Sequence, residues 1–262
     1  MIPAIIPRLT GLSVLVTRPL PQAECLAAAI EVHGGEAHVL PAIEILPRTA
    51  SVTATYDLIV FVSVNAVEHG VPSLTRTEHM RVAAIGNATA AALRAADWTV
   101  DLVPERGFTS EALLAHPDMS IEPGSRVLIV RGNGGRELLR ETFTSLGCIV
   151  ETLEVYERAL PVIDEARRDA IESLWEAGEV HAVTATSAET LANLGSLLSE
   201  RGQALLATTP LVVPSPRVAH VARELGLQGD CILADGADDD ATIDALARWH
   251  ARARMTPTGD AQ

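Results

Sequence analysis

Short apolar runs alternate with amphipathic stretches along most of this chain. The apolar runs are rich in β-branched residues and read LSVLVT, LIVFVS, RVAAIG, RVLIVR, HAVTAT and PLVVPS. Each run is followed by a segment rich in Ala, Leu, Glu and Arg, for example AECLAAAIEVHGG or RELLRETFTSLGC. Such runs predict buried strands, and the segments that follow them predict helices. The alternation therefore predicts an α/β protein with parallel sheets.

The same pattern occurs twice in the chain. The matched segments are GLSVLVTRP with GSRVLIVRG, VFVSVNAV with TATSAETL, and AAIGNATAAAL with LVVPSPRVAHV. The aligned residues are Val14 with Val127, Arg18 with Arg131, Gly34 with Gly147, Ser63 with Ser187, Asn87 with Ser215, and Thr89 with Arg217. We interpret this repeat as two similar α/β units, with the segments of one split around the other. Chance similarity among α/β strands is the alternative.

Two extended stretches flanked by proline indicate where the chain passes between the units. Proline disfavours helix in both stretches, which predicts linkers at residues 41–48 and 151–161. Domain A is then expected at residues 1–40 and 162–262, and an inserted domain B at 49–150. In this arrangement we expect a ligand cleft between the domains, at the carboxyl ends of the strands.

Composition and charge exclude several classes of function. The net charge is −14, which argues against a nucleic-acid partner and an anionic membrane surface. No apolar run approaches the length of a membrane span, and the first residues lack the features of a signal peptide. The three cysteines are scattered and have no metal spacing, so we expect a reduced cytoplasmic protein. All 20 basic residues are arginine, which excludes lysine chemistry such as a Schiff base or a Walker-A site.

Hydrogen-bond donors follow nearly every predicted strand. They are Ser and Thr hydroxyls, an Asn amide, glycines that expose backbone N–H groups, and arginines, in the segments Thr17-Arg18, Ser63-Val64-Asn65, Gly86-Asn87-Ala88-Thr89, Arg131-Gly132-Asn133-Gly134-Gly135-Arg136, Thr186-Ser187 and Ser215-Pro216-Arg217. Groups of this kind bind anions, particularly at helix N-termini. For each Ser, Thr or Asn taken alone, an ordinary helix N-cap is the alternative. Together, these strand ends predict a site for a ligand that carries several anionic groups.

The usual catalytic groupings do not occur in the sequence. The histidines are dispersed without metal spacing, and RGNGGRE has the wrong glycine spacing for a dinucleotide fingerprint. The acidic run GADDDAT, residues 236–242, is predicted to be a solvated loop before the last helix. Tyr156 lies in EVYERALP, where its phenol is placed to donate a proton or a hydrogen bond to a leaving group. A strand tyrosine that bridges core and solvent is the alternative.

These segments, in this order, resemble the uroporphyrinogen-III synthase family over most of the chain. The segments that carry the resemblance are VLVTRP, PAIEI, DLIVFVSVNAV, AAIGNATAAAL, VPERGFTSEALL, VLIVRGNGGRELL, VYERALP, TATSAETL, VVPSPRVAHVARELG and ATIDALA. Val62 and Ala185 depart from the F-T-S pattern of the family, which leaves the contribution of these two positions open.

The resemblance implies a specific fold and reaction. The family has two flavodoxin-like domains joined by a two-stranded linker, and it uses no metal or organic cofactor. It is a cyclising lyase of haem biosynthesis. Its substrate, hydroxymethylbilane, is a carboxylate-rich linear tetrapyrrole that loses its terminal hydroxyl to give an azafulvene. Ring D then inverts through a spiro intermediate, whereas the uncatalysed closure gives the uninverted type I isomer.

The resemblance also suggests roles for the donors at the strand ends. Gly86, Asn87, Ala88 and Thr89 are expected to hold substrate carboxylates at a helix N-terminus. Further donors are expected at Arg18, Ser63, Arg131, Gly132, Arg136, Ser187, Ser215 and Arg217. Tyr156 matches the tyrosine of the family's V-Y motif and is expected to assist departure of the hydroxyl. A monomeric state and a transient contact with hydroxymethylbilane synthase are further expectations.

Two other classes of function remain as alternatives at this point. One is a non-catalytic, cleft-closing protein that binds anions, against which the absence of signal-peptide features counts. The other is a nucleotide-dependent transferase with two Rossmann-like domains. The incomplete glycine fingerprints and the missing ribose-binding acid count against that class.

Overall fold

A computed structural model describes residues 6–52, 54–107, 109–135 and 137–255 of the chain. The chain divides into two compact units. Unit 1 comprises Met1–Glu44 and Leu160–Gln262, and unit 2 comprises Ile45–Ala159.

Strands and helices alternate through most of both units, as the apolar runs predict. The strands are β1 (Ser13–Val16), β2 (Glu36–Val39), β3 (Glu44–Pro47), β4 (Leu58–Phe61), β5 (Arg81–Ala84), β6 (Arg126–Gly132), β7 (Ile149–Ala159), β8 (Ala182–Thr184), β9 (Leu211–Val213) and β10 (Cys231–Leu233). The helices are α1 (Gln22–Val32), α2 (Val64–Gly70), α3 (Asn87–Ala95), α4 (Ser110–Leu114), α5 (Leu138–Ser145), α6 (Glu165–Glu176), α7 (Ala188–Leu197), α8 (Glu200–Thr208), α9 (Pro216–Glu224) and α10 (Asp239–Met255). A 3-10 turn, Val71–Ser73, follows α2.

The sheet of unit 1 has the strand order β10-β9-β8-β1-β2, and each neighbouring pair is parallel. Numbered within the unit, this order is 2-1-3-4-5, the order of flavodoxin-like folds. In such sheets the chain order reverses beside the first strand, and ligands bind outside the carboxyl ends of the strands at that point. The carboxyl ends of β1 and β8 lie at this position in unit 1.

The sheet of unit 2 has the order β3-β7-β6-β4-β5. Its pairs β4–β5, β4–β6 and β6–β7 are parallel. Leu102 adds an isolated parallel bridge to Ala83 on the outer side of β5, where β10 lies beside β9 in unit 1. The expected α/β class with parallel sheets is therefore confirmed in both units.

The pairing register confirms most of the internal repeat. Val14 lies opposite Ala37 in unit 1, and its aligned partner Val127 lies opposite Val150 in unit 2. The segment β9-β8-β1-β2 of one sheet thus corresponds to β5-β4-β6-β7 of the other. Because the same register recurs at both pairs of strands, the similarity reflects a shared architecture and not chance.

Both faces of each sheet are buried, which explains why the strands are continuously apolar. In β1, Leu15 packs into one apolar cluster while Val14 and Val16 pack into another on the opposite face. In β4, Ile59 and Phe61 pack on one face, and Leu58 and Val60 on the other. None of the described helices is long and apolar enough to cross a bilayer.

Candidate active site

The carboxyl edge of the unit 2 sheet brings together donors that are far apart in the sequence. Ser63 follows β4, the segment from Gly86 to Thr89 follows β5, and Gly132 ends β6. Tyr156 in β7 lies opposite Gly132, after a shift in register. Because these strands are parallel neighbours, their carboxyl ends meet at one edge.

Tyr156 is the largest fully buried side chain at this edge, with 1% of its surface exposed. Its hydroxyl oxygen lies 3.1 Å from Ser63 Oγ, and an Arg158 guanidinium nitrogen donates to it at 3.4 Å. The guanidinium carbon of Arg158 lies 5.7 Å from the centre of the Tyr156 ring, and the His69 ring lies 6.1 Å away. The hydroxyl is therefore held between a hydroxyl and a permanent cation.

Gly132 leaves space for the tyrosine ring. A β-carbon at Gly132 would lie 2.5 Å from both Cε2 and Cζ of Tyr156. No side chain fits at that distance unless the ring moves. The ring of Tyr156 therefore packs directly against the backbone of Gly132, within unit 2.

The N-terminus of α3 has no side-chain cap. Gly86, its N-cap, has an extended backbone (φ −175°) and provides no side-chain cap. The first turn contains no acidic residue. Asn87 and Ala88 are exposed, whereas Thr89 is 4% exposed. Uncapped N–H groups and the helix dipole favour an anion at such a terminus.

Arg131, at the end of β6, lies among carboxylates of its own unit. Its guanidinium is 2.9 Å from a Glu137 oxygen and 3.7 Å from a Glu154 oxygen. Hydrogen bonds from Arg140 and Arg131 hold the pKa of Glu137 below its usual value, and the bond from Arg140 has the larger effect. Arg131 would therefore have to exchange these partners to bind a substrate carboxylate. Arg136 lies outside the described residues.

A second group of donors lies at the carboxyl edge of the unit 1 sheet. Ser187 and Ser215 are the N-caps of α7 and α9, and they accept hydrogen bonds from the N–H groups of Thr190 and Val218. Ser63 caps α2 in the same way. Capping uses the serine oxygen as an acceptor and leaves the hydroxyl hydrogen, so capping alone does not exclude ligand binding. The Ser187 oxygen also lies 2.9 Å from Thr190 Oγ1. Arg217, in the first turn of α9, is exposed.

Arg18 is buried and forms its hydrogen bonds and ion pair with other residues of unit 1. Its side chain is 7% exposed and forms an ion pair with Asp239, whose side chain is 33% exposed. It also donates to the carbonyl oxygen of Ala237 at 2.8 Å and to Thr242 Oγ1 at 3.0 Å. We therefore assign Arg18 a structural role in place of the expected substrate contact.

The same contacts correct the expectation for residues 236–242. This segment is not simply a solvated loop, because it supplies the partners of Arg18 and begins α10 at Asp239. In the sequence these acidic residues look like a solvated run, since their partner is more than two hundred positions away.

One part of the expected alignment is shifted by a residue. Gly86 is the N-cap of α3 and Ser215 is the N-cap of α9, so these two positions correspond. Asn87 therefore does not match Ser215, and exposed Arg217 corresponds to exposed Ala88. The alignment from sequence followed apolar runs, and these do not fix the length of the turn before a helix.

Sequence reasoning missed Arg158, which approaches the Tyr156 hydroxyl. A signal was available, because residues two apart in a strand lie on the same face. It also missed that the ring of Tyr156 fills the space beside the α-carbon of Gly132.

The chain is similar to known proteins over nearly its whole length. The family model for "Uroporphyrinogen-III synthase HemD" matches residues 24–244. The chain is 39% identical over 250 residues to the uroporphyrinogen-III synthase of Salmonella typhimurium, and this match covers 90% of this chain and 100% of that protein. It is 38% identical to the Escherichia coli uroporphyrinogen-III synthase, with the same two coverages.

Two solved structures have the same fold. A uroporphyrinogen III synthase mutant from Thermus thermophilus superposes with a TM-score of 0.55 at 18% identity, covering 93% of this chain and 99% of that one. Uroporphyrinogen-III synthetase from Helicobacter pylori gives a TM-score of 0.59 at 14% identity, covering 91% and 99%. At these identities the two structures support the fold alone. The family model and the two relatives show the family: the chain belongs to the uroporphyrinogen-III synthase family.

Proposed function

We propose that this chain closes hydroxymethylbilane to uroporphyrinogen III, with inversion of ring D and loss of water. The observation that carries the proposal is the edge of unit 2, where a tyrosine hydroxyl held by Ser63 and Arg158 lies at the same sheet edge as the open N-terminus of α3. The first group suits protonation of a leaving hydroxyl, and the second suits a carboxylate.

The bilane closes without an enzyme, so orientation is the main task of this site. The substituted carbon of ring D must attack the azafulvene before the free carbon does. A hundredfold preference for one isomer needs about 2.7 kcal/mol. One or two charge-assisted hydrogen bonds to substrate carboxylates supply that amount.

The proposed carboxylate donors fall into two groups. In unit 2 they are Gly86, Asn87, Ala88 and Thr89, with Arg131 after exchange of its internal partners. In unit 1 they are Ser187, Ser215 and Arg217. Gly132 acts through the space that it leaves for Tyr156, and Arg136 remains a candidate from the sequence alone. The proposed reaction is a dehydration and a carbon–carbon bond formation, so its electron balance needs no oxidant or reductant.

Isomer analysis tests this function directly. Hydroxymethylbilane is mixed with the protein, the product is oxidised, and the type III and type I porphyrins are separated. Type III in excess is the expected result, and type I alone would overturn the proposal. Thr89→Ala and Arg217→Ala test the donors, and both are expected to lower the yield of type III. Unchanged yield in both variants would remove these two residues from the site.

We further propose that the protein acts as a monomer in the cytoplasm and receives its substrate from hydroxymethylbilane synthase in a transient contact. A bilane that closes spontaneously must be captured quickly, which favours direct supply. Light scattering is expected to give the monomer mass of 27.7 kDa. If the type III fraction stayed constant while the separately purified hydroxymethylbilane synthase was varied, direct transfer would be excluded.

A further inference from the structure

The direction of the hydrogen bonds at the Tyr156 hydroxyl follows from the chemistry of its neighbours. A guanidinium has donors and no acceptor, so Arg158 donates to the Tyr156 oxygen. The tyrosine is 1% exposed, and its own hydrogen needs an acceptor inside the protein. Within the described part of the chain, Ser63 Oγ, at 3.1 Å, is the acceptor in reach. The hydrogen-bond chain therefore runs from Arg158 through Tyr156 to Ser63.

Ser63 then has its own hydrogen free. Its oxygen accepts the N–H of Ala66 at 3.0 Å, as the N-cap of α2. With the Tyr156 hydroxyl as a second donor, both lone pairs of Ser63 Oγ are used. Ser63 is half-buried, whereas Tyr156 is fully buried. The hydroxyl hydrogen that remains available to a ligand thus belongs to Ser63.

The opposite direction is less favourable. If Ser63 donated to Tyr156, the buried tyrosine hydrogen would have no acceptor among the described residues. A buried donor without an acceptor loses its hydrogen bond to water and gains none in the protein, which destabilises that arrangement. The arrangement that leaves the serine hydrogen free avoids this cost.

On the basis of the function proposed above, we propose that Ser63 is the group that protonates the leaving hydroxyl, and that Tyr156 resupplies its proton. Arg158 is a positioning residue that stabilises the tyrosinate. When the carbon–oxygen bond of the hydroxymethyl group breaks, its electron pair stays with oxygen. The oxygen takes the Ser63 proton and leaves as water, while Ser63 takes the Tyr156 proton. The protonated azafulvene keeps the positive charge, and ring closure releases one pyrrole proton that restores Tyr156.

Four variants test the relay: Ser63→Gly, Ser63→Thr, Tyr156→Phe and the double variant Ser63→Gly/Tyr156→Phe. Glycine removes the hydroxyl and is itself a tolerated N-cap residue, so the helix is retained. The rate of type III formation is measured with hydroxymethylbilane. Loss of general acid catalysis lowers rates by roughly 100-fold or more. We expect Ser63→Gly and Tyr156→Phe to lose the same factor, the double variant to be no slower than either, and Ser63→Thr to retain activity.

Arg158→Met adds a readout that a purely structural role would not move. Loss of the guanidinium is expected to lower kcat while KM is unchanged, and Arg158→Lys is expected to recover part of kcat. Thr109→Gly is the matched control, because Thr109 is a hydroxyl N-cap of α4 in the same unit. It is expected to leave the rate unchanged.

Different kinetic results would contradict the relay, the acid role of the two hydroxyls and the proposed function. Full activity in Ser63→Gly with loss in Tyr156→Phe would overturn the relay and make Tyr156 the direct donor. Losses that multiply in the double variant would show that the two hydroxyls act independently, which also overturns it. Full activity in both single variants would overturn any acid role for this pair. If the unaltered protein made only the type I isomer, the proposed function itself would fail.

Discussion

A methyl group on the α-carbon of Gly132 would lie 2.5 Å from the Cζ atom of Tyr156, the ring carbon that carries the hydroxyl. The two residues lie on neighbouring strands, opposite each other after a shift in the register of β6 and β7. Because the ring fills the space above the glycine, the position of the Tyr156 hydroxyl depends on the residue at 132.

Gly132→Ala is expected to displace the Tyr156 ring and disturb its hydrogen bonds to Ser63 and Arg158. Overpacking of a buried site costs about 1–3 kcal/mol of stability. The rate of type III formation should fall by more than the loss of folded protein explains. Thermal unfolding and the isomer assay, measured on the same preparation, check both effects.

Gly195→Ala is the control for this substitution. Gly195 lies within α7, and a β-carbon there meets no atom within 4 Å. Alanine in a helix interior stabilises by up to about 1 kcal/mol relative to glycine. Normal activity and an equal or higher unfolding temperature are expected. If Gly132→Ala behaved like this control, the steric account of Tyr156 would be wrong.

Arg18→Met is expected to destabilise unit 1 and leave substrate affinity unchanged. Removing one partner of a buried ion pair costs about 3–5 kcal/mol. We expect a smaller loss, about 2–3 kcal/mol, because Asp239 is one-third exposed and water screens its charge. The free energy of unfolding is measured by denaturant titration. KM is measured without denaturant, under conditions in which the variant is folded.

Arg8→Met provides the comparison for Arg18. Arg8 also pairs with α10, through Asp244, but the two side chains are 41% and 49% exposed. An exposed pair contributes less than about 1 kcal/mol, so little change is expected. A strongly raised KM in Arg18→Met, with stability preserved, would restore Arg18 as a substrate donor.

Glu172 is expected to make the stability of unit 1 sensitive to acid. Its side chain is fully buried, and burial alone would raise its pKa. Hydrogen bonds from the Ser199 hydroxyl and N–H, at 2.6 and 2.8 Å, and from Arg201 at 3.2 Å outweigh burial and lower the pKa below 4.5. Since the folded state holds the proton less tightly than the unfolded state, this contribution is complete above pH 4.5 and is lost as the pH falls through the lower, folded value.

Glu172→Gln separates this group from the other carboxylates. At pH 7 the free energy of unfolding of the variant is expected to be about 1–3 kcal/mol smaller than that of the unaltered protein. Its unfolding temperature should be lower accordingly. It should also lose less stability between about pH 5 and pH 3 than the unaltered protein loses. Parallel acid profiles for the two proteins would show that Glu172 does not contribute through its ionisation.

Arg217→Ala is expected to raise KM with little effect on stability. Arg217 is exposed and makes no hydrogen bond or ion pair with the residues that the structure describes. A charge-assisted contact to a substrate carboxylate is worth about 1.5–3 kcal/mol, or about tenfold or more in affinity. Added salt should raise KM less in the variant than in the unaltered protein.

Arg223→Ala is the matched control on the same helix. Arg223 is exposed near the end of α9, and its loss changes the net charge by the same amount. Its KM and salt dependence are expected to match those of the unaltered protein. An equal effect in both variants would mean that net charge, and not a contact at Arg217, determines binding.

Much of the fold could be predicted because it follows from local patterns of apolar and polar residues. Continuous apolar runs mark strands that are buried on both faces, such as β4 and β6. The repeat that pairs Ser63 with Ser187 is also visible without coordinates, and both residues cap helices that follow equivalent strands. The one-residue error at Asn87 arose in a turn, where apolar periodicity carries no information.

The sequence by itself determined the α/β class, the repeat and the placing of donors at strand ends, because these follow from periodicity and from the rule that parallel strands end at one edge. Only the tertiary structure decided which donors are already occupied. Arg18 and Arg131 look alike in the repeat, yet Arg18 is enclosed by the segment that begins α10, and Arg131 lies between two glutamates. The link from Ser63 to Tyr156 spans 93 positions. Contacts over such separations depend on how the strands pack, which no local pattern encodes.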